Sequence, residues 1–204
     1  MSPKRRKTTP KAAKPTAKQH SEPAPARSSS IVFAESVDAA KTKALKLLAL
    51  MARSSEELRQ KLARAKFSAA VIEQVIEDFQ RAGLINDEAL ASRLVERELE
   101  RLPADRPLLE EKLSRRGVDA SLVTRTVDDA LDGRSTWTDA LDAARAKLRT
   151  MTPSTDPHKA AQRVLSLLLR RGFEHETATE ATLAALREAG FGDPTEEHAP
   201  HEDY

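Results

Sequence analysis

Residues 109–123 read LEEKLSRRGVDASLV, and the same pattern stands at two other places, LRQKLARAKFSAAVI (58–72) and VLSLLLRRGFEHETA (164–178). The first two superpose at a shift of 51: Leu58 on Leu109, Leu62 on Leu113, Phe67 on Val118, Val71 on Leu122 and Ile72 on Val123. The third follows at a shift of 55, which lays Arg170-Arg171-Gly172-Phe173 on Arg115-Arg116-Gly117-Val118. Apolar residues three and four apart put one apolar stripe on a helix. A glycine just past that stripe ends the helix, because it adopts left-handed backbone angles without steric cost. Each segment is therefore helix, tight turn, helix. Another short helix precedes each, around Leu45–Met51, Leu90–Leu99 and Leu141–Leu148. Self-similarity at a period near 50 residues marks a repeat protein. The expected fold is all-α: an elongated array of three tandem three-helix repeats with disordered termini. In the first repeat Lys66 stands where the others have Gly117 and Gly172. That turn is either strained or differently built.

The expected organisation is a disordered basic tail (1–30), three repeats (31–86, 87–134 and 135–191) and a disordered acidic tail (192–204). Residues 1–30 hold five prolines and eight Lys/Arg against one acid, for a net charge of +7. Such a segment buries too little surface to offset its ordering entropy. The tail from Gly192, GDPTEEHAPHEDY, carries five acids and no Lys/Arg. Removing both ends leaves equal numbers of basic and acidic residues, so the folded part is no bulk polycation. Nucleic-acid binding by it would need local patches. The basic tail itself reads equally as a solubility leader or as an arm that binds DNA by releasing counterions.

Helix starts are well marked. Ser54-Ser55-Glu56-Glu57 is a capping box. Ser68, Asn86 and Asp119 stand where the following helices need caps, and Asp156-Pro157 is a cap followed by proline at the first helical position. Glu57–Lys61 and Glu111–Arg115 are spaced for ion pairs one helical turn apart. Phe67 and Phe173 fall at equivalent turn positions and are expected in the core. Trp137, the sole tryptophan, is expected to pack between the second and third repeats.

Several chemistries are excluded. Without cysteine there is no disulfide, thiol nucleophile or thiolate-bound metal. The six glycines form no phosphate loop. His175-Glu176 lacks the second histidine of a zinc helix, and His198 with His201 falls short of a metal's ligand count. No enzyme activity, cofactor or metal is expected. No apolar run is long enough for a membrane, so a cytoplasmic monomer is the expectation. At 39% hydrophobic but 3% aromatic, the core is lean, which suits small stacked units better than one deep globule.

The candidate contact residues are arginines. Arg115-Arg116 and Arg170-Arg171 each occupy the last turn before a glycine. Cations there complement the negative end of the helix dipole. Repeated along an array, they could equally meet phosphates or acidic side chains on a partner. Arg59, Arg64, Lys66, Arg81, Arg93 and Arg97 are candidates to extend that surface.

Four motifs in order resemble the RecX family over roughly residues 40–190. Arg53-Ser54-Ser55-Glu56-Glu57-Leu58 is similar to its R-S-x-x-E-L opening, and Gly83-Leu84-Ile85-Asn86-Asp87 with Leu90-Ala91 to its first connecting element. Lys112-Leu113-Ser114-Arg115-Arg116-Gly117-Val118 and Leu168-Leu169-Arg170-Arg171-Gly172-Phe173 are similar to its second and third turns. Two departures stand out. Asn86 replaces an acid, and Leu102-Pro103-Ala104-Asp105-Arg106-Pro107 replaces a short glycine-containing loop with one stiffened by two prolines. The resemblance implies a regulator that binds the RecA–DNA filament in its groove and suppresses strand exchange, ATP hydrolysis and co-protease activity. The rival readings are a protein that binds single- or double-stranded DNA directly, and a generic helical scaffold.

Overall fold

The computed structural model describes residues 27–152 and 155–191, with side chains from residue 33. Both expected tails from 1 to 26 and from 192 to 204, with His198 and His201, lie outside the described residues. Among those described, the chain forms helices and no strand. The helices are α1 (Arg27–Leu50), α2 (Ser55–Arg64), α3 (Ala69–Arg81), α4 (Asp87–Arg101), α5 (Arg106–Arg115), α6 (Ala120–Leu131), α7 (Thr136–Leu148), α8 (Pro157–Arg170) and α9 (His175–Glu188). No helix among them is long and apolar enough to cross a membrane. α1 is longer than the expected helix around Leu45–Met51 and starts inside the expected basic tail. Once Val37, Ala40 and Ala44 are packed, each residue added upstream gains a backbone hydrogen bond.

The predicted caps are in place. Ser54 accepts from the Glu57 amide while the Glu57 carboxylate accepts from the Ser54 amide. Ser68, Asn86, Asp119 and Asp156 cap α3, α4, α6 and α8. Helices pack in threes, α1–α3, α4–α6 and α7–α9. Each triplet has its own core. The first joins Leu58, Leu62, Val75 and Ile76. The second joins Val95, Leu109, Leu113 and Val127. The third is rich in alanine (Ala140, Ala143, Ala144, Ala160, Ala178, Ala181, Ala185) around Leu141, Val164 and Leu168. Small side chains let its helices approach closely, which suits a chain poor in aromatics.

The units join end to end through two junctions built alike. At the first, the turn after α5 sits on the start of α2. Ser54 Oγ donates to the Arg116 carbonyl, and Arg116 Nη2 donates to the Ala52 carbonyl at 2.8 Å. Arg116 Nε donates to Glu57 Oε1 at 2.7 Å. At the second, the turn after α8 sits on the start of α5. The Asp105 amide donates to the Arg171 carbonyl at 3.0 Å, and Arg171 Nε donates to the Pro103 carbonyl at 3.0 Å. Arg171 also binds the Leu102 carbonyl and the Glu98 carboxylate. The proline-stiffened loop is thus the platform of the second junction. Leu108 occupies the place that Glu57 holds in α2, so α4 supplies the carboxylate instead.

Glycine is required at these contacts twice over. Gly117 (φ +67°) and Gly172 (φ +93°) are both left-handed. A Cβ on Gly117 would lie 2.9 Å from Glu56 Cβ, and one on Gly172 would lie 2.9 Å from the Leu108 amide nitrogen. Lys66 adopts the same left-handed angle (φ +69°), but its turn is exposed at the free end of the first unit. Its side chain stands in solvent, so it fits, at the cost of backbone strain. The aromatic that follows tells the same story. Phe173 is buried in the second junction, whereas Phe67, expected in the core, is only half-buried.

Two predictions test these junctions by chemical unfolding. Gly172→Ala is expected to lose about 2 kcal/mol or more, combining left-handed strain with a backbone clash. Lys66→Gly is expected to gain up to about 1 kcal/mol by relieving strain alone. The second concerns Glu98. Burial alone would push its carboxyl pKa up, but hydrogen bonds from Lys112 and Arg171 outweigh that and hold it below the usual 4.5. A carboxyl depressed on folding stabilises above the unfolded value and loses that contribution as pH falls through the folded one. Glu98→Gln is expected to cost about 2 kcal/mol at neutral pH, and urea titrations are expected to show that deficit shrinking as the pH falls below 4.5.

Candidate functional site

The two Arg-Arg pairs split in the folded chain. The second member of each, Arg116 and Arg171, is turned into a junction, with side chains 22% and 12% exposed. These two are not the surface contacts anticipated from the sequence. Each supplies a desolvated guanidinium whose planar fork meets carbonyls and a carboxylate at once. The first member of each, Arg115 and Arg170, stays in solvent. Arg64 holds the equivalent place in the first unit, as the last residue of α2, and is also exposed. The end of each unit's middle helix therefore displays one exposed arginine: Arg64, Arg115 and Arg170. Because the two junctions are built alike, a similar step relates one to the next.

The other candidates do not form a single patch. Arg59 is engaged with Glu73, Nε to Oε1 at 2.9 Å, and that hydrogen bond raises its pKa. Arg81 pairs with Asp78 of its own helix, and Arg93 donates to the Ala89 carbonyl. Lys66 and Arg97 are exposed. Arg115 carries the anticipated pair with Glu111 at 2.6 Å. The anticipated Glu57–Lys61 pair is replaced, since the capping box and Arg116 take the Glu57 carboxylate.

The sequence reading missed the exposed apolar residues at the junctions. The turn end of each unit, where its middle helix finishes, meets the start of the middle helix before it. Leu50, Met51 and Leu84 are exposed around the first junction, and Leu169 and Trp137 around the second. Trp137 is 40% exposed, not packed between units as expected. Alanines and Phe173 fill the interior that it was expected to occupy. The N-terminal start of α7 is nonetheless firm. Ser135 caps it, and Arg134 grips Asp139 through two hydrogen bonds of 2.9 and 2.7 Å.

A groove of about 510 Å³ lies between α4 and α6, lined by Glu88, Ser92, Glu96, Leu99, Leu122 and Asp129. A cleft of about 220 Å³ opens at the second junction, lined by Ala104, Asp105, Arg106, Leu131, Arg134, Thr136, Asp139 and Phe173. Among the described residues, no group of three or more His, Asp or Glu side chains is placed to hold a metal ion. What the surface offers is guanidinium groups and apolar edges on a rigid array, the chemistry of macromolecular contact.

Comparison with known proteins gives the family. A family model described as the RecX first three-helix domain matches residues 40–79. The chain is 36% identical over 149 residues to the regulatory protein RecX of Corynebacterium efficiens, covering 72% of this chain and 71% of that one. It is 32% identical over 144 residues to the regulatory protein RecX of Amycolatopsis mediterranei, covering 71% and 81%. The crystal structure of RecX from Lactobacillus salivarius shares the fold, with a TM-score of 0.57 at 18% identity over 74% of this chain and 97% of that one. With identity of this depth running over more than two thirds of both chains, the protein belongs to the RecX family of regulatory proteins.

Proposed function

We propose that this chain binds the RecA–DNA filament and restrains its activities, among them ATP hydrolysis, strand exchange and co-protease function, by contact and without catalysis. Membership of a regulatory family supports the reading. The observation that carries it is the set Arg64, Arg115 and Arg170, one exposed guanidinium at the end of each middle helix on an array with like junctions. A surface that repeats along its length complements a partner that repeats along its own. The set is sparse. Duplex DNA presents one charge per roughly 1.7 Å of its axis, whereas successive arginines here are separated by a whole three-helix unit. Arg93, Arg97 and Arg101 are exposed on α4 as well, but the repeated position supplies one arginine per unit, a spacing that suits a filament with one acidic site per subunit better than a continuous phosphate chain.

The test is the DNA-dependent ATP hydrolysis of RecA, titrated with the wild-type chain and with an Arg64→Ala/Arg115→Ala/Arg170→Ala variant. Wild type is expected to inhibit at substoichiometric amounts. All three arginines are exposed, so the variant is expected to keep its helicity and thermal midpoint. At roughly 0.5 kcal/mol per exposed contact, it is expected to need about tenfold more protein for the same inhibition. If the wild type leaves hydrolysis, filament length and strand exchange all unchanged, the regulator reading is wrong.

A further inference from the structure

We infer that the rim of the second junction is a protein-docking surface, with Trp137 as its apolar anchor and Arg170 as its charged contact. The partner is an acidic protein surface with an apolar recess. This inference rests on the filament reading above, so the recombinase is the protein that would carry that surface.

The argument begins with the connection between α7 and α8. It is short, so the two helices run antiparallel, and they pack on each other. The start of α7 therefore lies at the same end of the unit as the finish of α8. That end of the unit carries three exposed residues, Trp137 on α7 and Leu169 and Arg170 on α8. Arg170 forms no ion pair among the described residues, while its neighbour Arg171 is locked into the junction. Tryptophan and arginine are the side chains most often found carrying the energy of a protein interface.

The support beneath them is rigid. The Ser135 cap and the double Arg134–Asp139 contact fix the start of α7. The Arg171 clamp fixes the finish of α8. Trp137 has few rotatable bonds, so ordering it on binding costs little. Next to it, Thr136 lines the junction cleft, which can receive a partner's side chain. Scattered single apolar residues on a surface mean little; Phe33 and Leu45 are exposed on α1 as well, but Trp137 and Leu169 share one end of the third unit.

Protein is favoured over nucleic acid at this rim. Base stacking without sequence preference uses a series of exposed aromatics, and this rim offers one beside an aliphatic Leu169.

The sole tryptophan makes the test direct. The full chain is produced with 5-hydroxytryptophan, which is excited apart from the ordinary tryptophans of a partner protein. Acrylamide quenching of that one residue is then measured alone, with a single-stranded oligonucleotide, and with assembled RecA–DNA filament, with co-sedimentation run in parallel. Filament is expected to shield position 137 from quencher, and the oligonucleotide alone is expected to leave it accessible. Trp137→Ala is expected to weaken co-sedimentation by about tenfold or more with an unchanged thermal midpoint, and Arg170→Glu to weaken it more than Arg170→Ala. Co-sedimentation with position 137 still fully quenched, and with Trp137→Ala binding as tightly as wild type, overturns the inference and leaves the filament reading standing. Shielding by the oligonucleotide alone also overturns it, in favour of base stacking. Absence of co-sedimentation removes both.

Discussion

The array depends on one contact made twice: a C-cap arginine, followed by a left-handed glycine, seated on the start of the preceding unit's middle helix. Helices pack well within each triplet, and the three cores are separate. The junctions therefore carry much of the burden of holding the units in register. The arginine suits the task. Its five donors satisfy carbonyls that a helix end leaves open, and its charge meets a carboxylate in partly dry surroundings. Arg116 reaches Ala52 and Glu57, and Arg171 reaches Leu102, Pro103 and Glu98. Removing either guanidinium leaves a partly buried carboxylate short of a donor, which costs more than an equivalent pair on an open surface.

Sequence and fold agree wherever the signal is local. Ser54, Ser68, Asn86, Asp119 and Asp156 are legible as caps because a cap acts within three residues of itself. The repeat is legible because it preserves both an apolar stripe and a turn. What escaped is contact across long separations. Arg116 lies 59 residues from Glu57, and Arg171 lies 73 from Glu98. Nothing in RRG says that its first arginine faces water and its second faces another unit. Glu57 offered a plausible partner four residues on, and the fold supplied a better one. Trp137 escaped for a different reason. Large aromatics are mostly buried, but here Trp137 stands 40% exposed at the start of α7, and the buried residues of the third unit are mainly alanines with Leu141, Val164, Leu168 and Phe173.

The same contact accounts for the departures within the repeat. In the first unit, Ala65 and Lys66 stand where the later units have arginine and glycine. Ala65 and Lys66 are both exposed, so nothing among the described residues requires the guanidinium or forbids the side chain. In the third unit, Lys159 occupies in α8 the third helical position that Glu57 holds in α2. A turn of the same kind seated there would bring its arginine against a cation. The junction-making residues are thus confined to the places where described units meet.

A charge-balanced array also constrains how a partner is recognised. Long-range attraction from net charge is small when basic and acidic residues cancel, and salt screens what remains beyond about 8–10 Å. Affinity must then come from short-range contacts at defined places, and the junctions bring candidates together. Each turn end holds one arginine inward for register and one outward for contact, beside apolar edges that helix packing alone would have covered. Structural need and recognition are met by adjacent residues of one motif. On the proposed function, a substitution at Arg116 or Arg171 would act on a partner indirectly, by changing where the outward arginines stand, whereas one at Arg115 or Arg170 would act on the contact itself.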